Sequence, residues 1–209
     1  MRETELKPEE LQFCFSTGAF SCSDAPDHHT APSRSVDRGF TIAWFGLMAF
    51  VWFGWGQEDP PPAWRSWLGA GSVMGLLLAG LFGYGVSARW SEGSALEGRY
   101  PWFGLVVGLE VLLAVVGCLF LHRRGKGRWM AWWVALVVAL HFVPLAFFLD
   151  DLSLAGLGVI EAAGLAALVP RVGGELVSSR LVAPWMGITL LVFAGVSALL
   201  FVVRTGTPW

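Results

Sequence analysis

Apolar residues in this chain come in long unbroken runs, not in the alternating or one-sided patterns of a soluble domain. Six runs stand out, at residues 39–57, 67–87, 102–121, 129–149, 152–169 and 183–203. Each approaches the roughly 20 residues that a helix needs to cross a hydrocarbon layer of about 30 Å. Lipid offers the backbone no hydrogen bonds, so each run must satisfy its own amides and carbonyls, which a helix does. Six such runs in so short a chain leave no polar helices to cover a core in water. The expected fold class is all-α, a polytopic transmembrane helical bundle of about six spans. Residues 152–169 are the shortest run and rich in Ala and Gly, so a re-entrant segment is the alternative there.

The interruptions are equally regular. Glu58-Asp59-Pro60-Pro61-Pro62 ends the first run, because consecutive prolines supply no amide donors and cannot continue a helix. Charged residues between Arg89 and Pro101 separate the second and third, and His122-Arg123-Arg124-Gly125-Lys126-Gly127-Arg128 separates the third and fourth. Asp150-Asp151 makes a tight turn, and residues 170–182 divide the last two runs. Trp52, Trp55, Trp64, Trp67, Trp90, Trp102, Trp129, Trp132, Trp133 and Trp185 all fall near run ends. Indole favours the membrane–water interface, where its apolar body and its N–H are both satisfied. Lys and Arg crowd the loop after run three and are missing after run four, which puts loops 58–66, 122–128 and 170–182 in the cytoplasm.

Residues 1–38 differ in kind. They are polar and acidic, rich in Ser, Pro and Asp, and bury too little apolar surface to offset their ordering entropy. The chain thus divides into a disordered acidic tail over 1–38, with room for a short helix at 7–14, and a transmembrane domain over 39–209. The first 13 residues, MRETELKPEELQF, are acidic and lack the basic start and apolar stretch of a secretory signal, so the first run is expected to be a retained span. Cys14 and Cys22 could pair in an oxidising compartment. Together with Asp24, Asp27, His28 and His29 they are also metal-ligand types, but their spacing is not that of a zinc site. No metal or cofactor is expected.

Composition narrows the function. The chain of 209 residues is 55% hydrophobic and 14% charged, with a formal net charge of -2. That charge excludes a strongly basic nucleic-acid binder. No phosphate-binding Gly-Lys loop is present, no span holds a Lys for a retinal Schiff base, and neither H-E-x-x-H nor G-x-S-x-G occurs. A membrane-embedded enzyme is therefore disfavoured. Gly71, Gly75, Ala79, Gly83 and Ser87 repeat every fourth residue in the second run, a spacing that lines small side chains along one helix face and lets another backbone approach. The partners expected are lipid and, on that face, a neighbouring helix of the chain, a second copy or another membrane protein.

Three ionisable residues lie inside runs: Glu110, His141 and Glu161. A charged group at mid-span costs roughly 2.5–3.5 kcal/mol or more on insertion scales, so such residues usually face the bundle interior and find partners. Counted from the run ends on one side, all three fall about 12–14 Å deep at 1.5 Å per residue. Two acids and an imidazole at one level could hold a proton in common and exchange it with a substrate or cation. They could equally act as structural hydrogen-bonding groups between helices. Pro144 is expected to kink its helix and to free the carbonyl of Leu140 beside His141. Glu110 and Glu161 also end similar segments, GLVVGLE and AGLGVIE, which fits a duplicated hairpin except that run six has no counterpart to His141.

The stretch Trp129–Leu149, with His141-Phe142-Val143-Pro144-Leu145-Ala146, resembles a segment of small multi-span proteins from high-GC bacteria. The resemblance implies a bacterial plasma membrane and carries no activity. The functional expectation is a small proton-coupled carrier or channel-like protein with a polar intramembrane cluster. The alternative is a non-catalytic membrane interaction or assembly subunit that uses its small-residue helix faces.

Overall fold

The computed structural model describes residues 30–89, 100–172 and 177–206. The helix expected at 7–14 and the Cys14, Cys22, His28 and His29 group lie outside these residues, as do Trp90 and Trp209. Among the described residues six long helices follow one another: α1 (Thr30–Trp55), α2 (Arg65–Ala88), α3 (Tyr100–Arg123), α4 (Met130–Phe148), α5 (Leu152–Val172) and α6 (Ser179–Thr205). Short 3-10 turns at Pro62–Trp64 and Gly127–Trp129 lead into α2 and α4. All six helices are long and apolar enough to cross a membrane. Residues 152–169 are continuous helix, so the re-entrant alternative does not hold. α1 begins at Thr30, nine residues before the apolar run, so residues 30–38, expected in the tail, are helical, and the part apolar enough to span is Val36–Trp55.

The surface has the character of a lipid-facing one. Phe147, Leu152 and Val203 are each more than 70% exposed. No residue of α3 is buried. Its partly shielded positions are Phe103, Val106, Val107, Glu110, Ala114, Gly117, Cys118 and Leu121, an i, i+3/i+4, i+7 stripe that turns one face to α4. Trp133 of α4 lies over Gly117, where any side chain would collide with its indole, and donates Nε1–H to the Leu113 carbonyl at 3.0 Å. This bond at the α3–α4 contact gives a first prediction. Trp133→Phe should cost about 1 kcal/mol, the usual net worth of one hydrogen bond. Amides of α3 should exchange faster in a hydrogen-exchange experiment, while those of α5 and α6 stay unchanged.

α4 is the hub. Ala131, Ala135 and Ala139 lie at intervals of four and are buried, as is Ala146, so neighbouring backbones can come close. Gly158 of α5 packs against the Ala139 carbonyl and Phe142, and Trp132 donates Nε1–H to the Leu165 carbonyl at 3.2 Å. α1 packs through Phe45, whose ring meets those of Phe142 and Phe193 edge-on at 5.4 and 5.3 Å. It meets α2 at paired glycines: a methyl on Gly46 would lie 2.7 Å from the Gly75 carbonyl, and one on Gly75 would lie 2.5 Å from the Gly46 carbonyl. Gly71 of the same ladder receives the edge of Phe53, and the Ala79 amide faces Gly46. Gly83, one turn on, meets nothing within 4 Å and borders an open apolar groove.

The turns explain the sharp reversals. α3 closes on Gly125 at φ 66°, with Lys126 N–H donating to the Leu121 carbonyl at 2.8 Å, a left-handed helix end that glycine adopts without penalty. Asp150 takes φ 52°, which Asp tolerates better than most residues, and Asp151 Oδ1 then accepts from the Ser153 amide at 3.0 Å and its hydroxyl at 2.6 Å. Asp151 thus caps α5 while Asp150 supplies the reversal of the backbone, so the link between α4 and α5 can be short. At the opposite end the structure ties loops together in a way the apolar runs do not foreshadow. Ser179 donates to Glu58 at 2.7 Å, and the Ser178 hydroxyl accepts from the Trp132 amide at 3.2 Å. Both serines are fully buried, so α6 starts at Ser179 and not at the apolar boundary. α5 likewise runs through Pro170 to Val172, since proline there removes one donor without ending the turn.

Candidate functional site

The heptad stripe of α3 places Glu110 against α4, two turns from Gly117. On α4, His141 lies eight residues beyond Trp133, and the antiparallel helices bring the two together. His141 Nδ1 is 3.2 Å from Glu110 Oε2, with the side chains 13% and 19% exposed. A nitrogen that carries its proton there donates to the acid whether the imidazole is neutral or charged. Two of the three ionisable residues expected to meet therefore do meet, in mid-span.

Glu161 is placed differently. It is completely buried on α5, and its Oε1 accepts from the Thr189 hydroxyl of α6 at 3.1 Å. That hydroxyl also lies 3.1 Å from the Trp185 carbonyl and 3.0 Å from the Met186 carbonyl, so one proton serves three acceptors. Glu161 Oε2 and Trp185 Nε1 are buried without a hydrogen-bond partner among the described residues, as is His141 Nε2. The register of α4 and α5 explains the separation. Gly158 is the α5 residue level with Ala139 and Phe142, and the Trp132–Leu165 bond lies further along, so Glu161 falls roughly one turn, about 5 Å, beyond the level of His141. Sequence depth alone suggests one level for all three residues. Helix offset, which run ends do not reveal, moves Glu161 away.

The Glu110–His141 pair lies on the wall of a cavity of about 220 Å³ between α1, α3 and α4. Its lining is mostly apolar and includes six aromatic side chains, Phe40, Trp44, Phe45, Trp52, Phe103 and Phe142. Thr41, the other polar residue on the wall, is already committed, donating to the Asp37 carbonyl at 2.9 Å. Glu161 is not among the lining residues. Pro144 lies one turn from His141 inside α4, which stays helical from Met130 to Phe148. Lacking an N–H, it leaves the Leu140 carbonyl without its helical donor.

The sequence reading missed Thr189 and Trp185. Both belong to an apolar run and look there like a filler and an interface anchor. The signal that could have found Trp185 is the pairing of a large indole with Gly164, whose place for a side chain it occupies.

Fold and site together define a multi-pass α-helical membrane protein with an acid–imidazole pair facing an intramembrane cavity. No protein-family model matches the chain, and neither a curated protein nor a solved structure matches it.

Proposed function

We propose that this chain is a small carrier or channel-like protein of a bacterial plasma membrane, in which Glu110 and His141 form the station that handles a proton or a small cationic or polar substrate. One observation carries this reading: the pair borders a cavity in the middle of two spans instead of being packed away between them. An acid and an imidazole at 3.2 Å can pass one proton between them, and the cavity gives that proton a place to be exchanged. A purely structural pair would have no need of the adjoining space. Glu161 serves a supporting role in this account, holding α5 to α6 through Thr189.

The test is proton flux into proteoliposomes under an imposed membrane potential, followed with an internal pH dye. The wild-type protein is expected to raise the flux above that of empty vesicles, and Glu110→Gln is expected to lower it at least tenfold. Glu161→Gln, outside the cavity, should have the smaller effect of the two. Equal flux in wild type and Glu110→Gln would refute the assignment.

The alternative, an interaction or assembly subunit, is favoured by α3. That helix has no buried residue and leaves most of its apolar circumference to its surroundings. The Gly71–Ala79 part of the ladder is occupied within the chain by α1, so this alternative relies on α3 and not on the ladder.

A further inference from the structure

The cavity beside Glu110 is elongated. Its lining along α1 runs from Phe40 to Trp52, twelve residues apart, which corresponds to about 18 Å of helix. Its volume of about 220 Å³ is below the roughly 300–1,000 Å³ of ordinary ligand pockets, which leaves room for one ring or a short chain with a compact head.

The polar groups on its wall are not equivalent. The Thr41 hydroxyl gives its proton to its own helix and remains only a neutral acceptor. His141 uses Nδ1 on Glu110, and its Nε2 is sealed from the cavity. That leaves the Glu110 carboxyl, which offers about four lone-pair sites, of which His141 takes one. Among the described residues, no Lys or Arg lines the cavity. The same wall carries six aromatic residues, and an aromatic face attracts a cation placed over it through its quadrupole, by about 2 kcal/mol or more where water is excluded. An anion would meet an acid and aromatic side chains, with nothing on the wall to neutralise it. A neutral apolar molecule would gain nothing from Glu110 over what lipid already gives it.

Resting on the carrier reading above, we infer that the occupant is a lipophilic monocation: a small aromatic or aliphatic body with one ammonium-type head, seated with the head at Glu110 and the body between Trp44 and Trp52. Charge complementarity selects it over a lipid acyl chain, and the aromatic lining selects it over a hydrated inorganic ion, which would have to shed its water against rings instead of oxygens.

A pair of probes separates charge from shape. Benzyltrimethylammonium and neopentylbenzene have the same outline, and only the first carries a charge. The purified chain is placed in phosphatidylcholine nanodiscs, and the indole N–H resonances of Trp44 and Trp52 are followed by NMR as each probe is added. The expected result is saturable movement of both resonances with benzyltrimethylammonium, at an affinity at least tenfold above that for neopentylbenzene. In Glu110→Gln that preference should disappear while neopentylbenzene still binds, which also shows that the variant is folded. Equal affinity of the two probes for the wild-type protein would assign the cavity to lipid chains and overturn the inference, whatever the variant does. The outcome is separable from the flux experiment. Preferential cation binding without proton flux would defeat the carrier reading alone, and Glu110-dependent flux without cation preference would defeat the ligand class alone.

Discussion

Replacing Phe53 with Ala is expected to destabilise the bundle by about 2–3 kcal/mol. Phe53 is 1% exposed, and its ring fills the space that side chains on two glycines would need. A methyl at Gly71 would lie 2.7 Å from the ring, and one at Gly187 would lie 2.8 Å from it. The ring thus plugs the junction of α1, α2 and α6, with Trp67 standing edge-on to it at 6.1 Å. In lipid the transfer of apolar surface out of water contributes little to helix association, so the loss is mainly that of the cavity left behind. Truncation to Ala removes roughly 100 Å³, and at about 24 cal/mol per Å³ this gives the stated range. Gly71 and Gly187 on two sides of the ring have no side chains to move into the hole, which leaves Trp67 as the one ring packed against it among the described residues. The measurement is loss of helicity in mixed micelles titrated with a denaturing detergent, and an unchanged midpoint would contradict the packing described.

Gly75→Val is expected to do more damage, by a different mechanism. The Gly75 position faces the Gly46 carbonyl at 2.5 Å and the Phe50 amide at 3.0 Å, counted from where its first side-chain carbon would stand. Those are backbone atoms and cannot rotate aside. Insertion into a close-packed core costs about 1–3 kcal/mol when neighbouring side chains can adjust, and more when they cannot. The α1–α2 contact should open along its length, with a cost of about 3 kcal/mol or above. Gly80→Val on the same helix is the control, since Gly80 meets nothing within 4 Å. The two variants carry the same change in composition and helix propensity. A similar midpoint for both in the same micelle titration would remove the Gly46–Gly75 contact from the account.

These two sites show what the sequence discloses and what it withholds. The apolar runs disclose six helices, because lipid imposes both length and composition on a span. The ladder in the second run discloses a close helix approach. It does not name the other helix, and the structure supplies Gly46, an isolated glycine in an otherwise unremarked stretch of α1. The Glu110–His141 contact is legible only in part. Depth along each run brings the two residues near one level, and the seven-residue spacing of Phe103, Glu110 and Gly117 turns the acid toward α4. Glu161 lies at a similar distance from its own run end. Its α5 neighbours Gly158 and Leu165 lock onto particular α4 residues, and that register cannot be counted from a boundary. The polar ties at Glu58, Ser178 and Ser179 were hidden for another reason: they join segments far apart in sequence, and each residue alone looks like an ordinary loop.

The measurement closest to the centre of the account is the separation of His141 and Glu110 in a bilayer. Solid-state NMR of the chain in phosphatidylcholine, with nitrogen-labelled histidine and carbon-labelled glutamate, reads that separation through dipolar dephasing, and Glu110→Gln identifies the signal. A nitrogen-to-oxygen contact of 3.2 Å predicts strong dephasing of one histidine Nδ1, lost in Glu110→Gln. Dephasing that is absent from the wild-type protein, or that survives the substitution, would mean that the acid and the imidazole do not meet in the membrane.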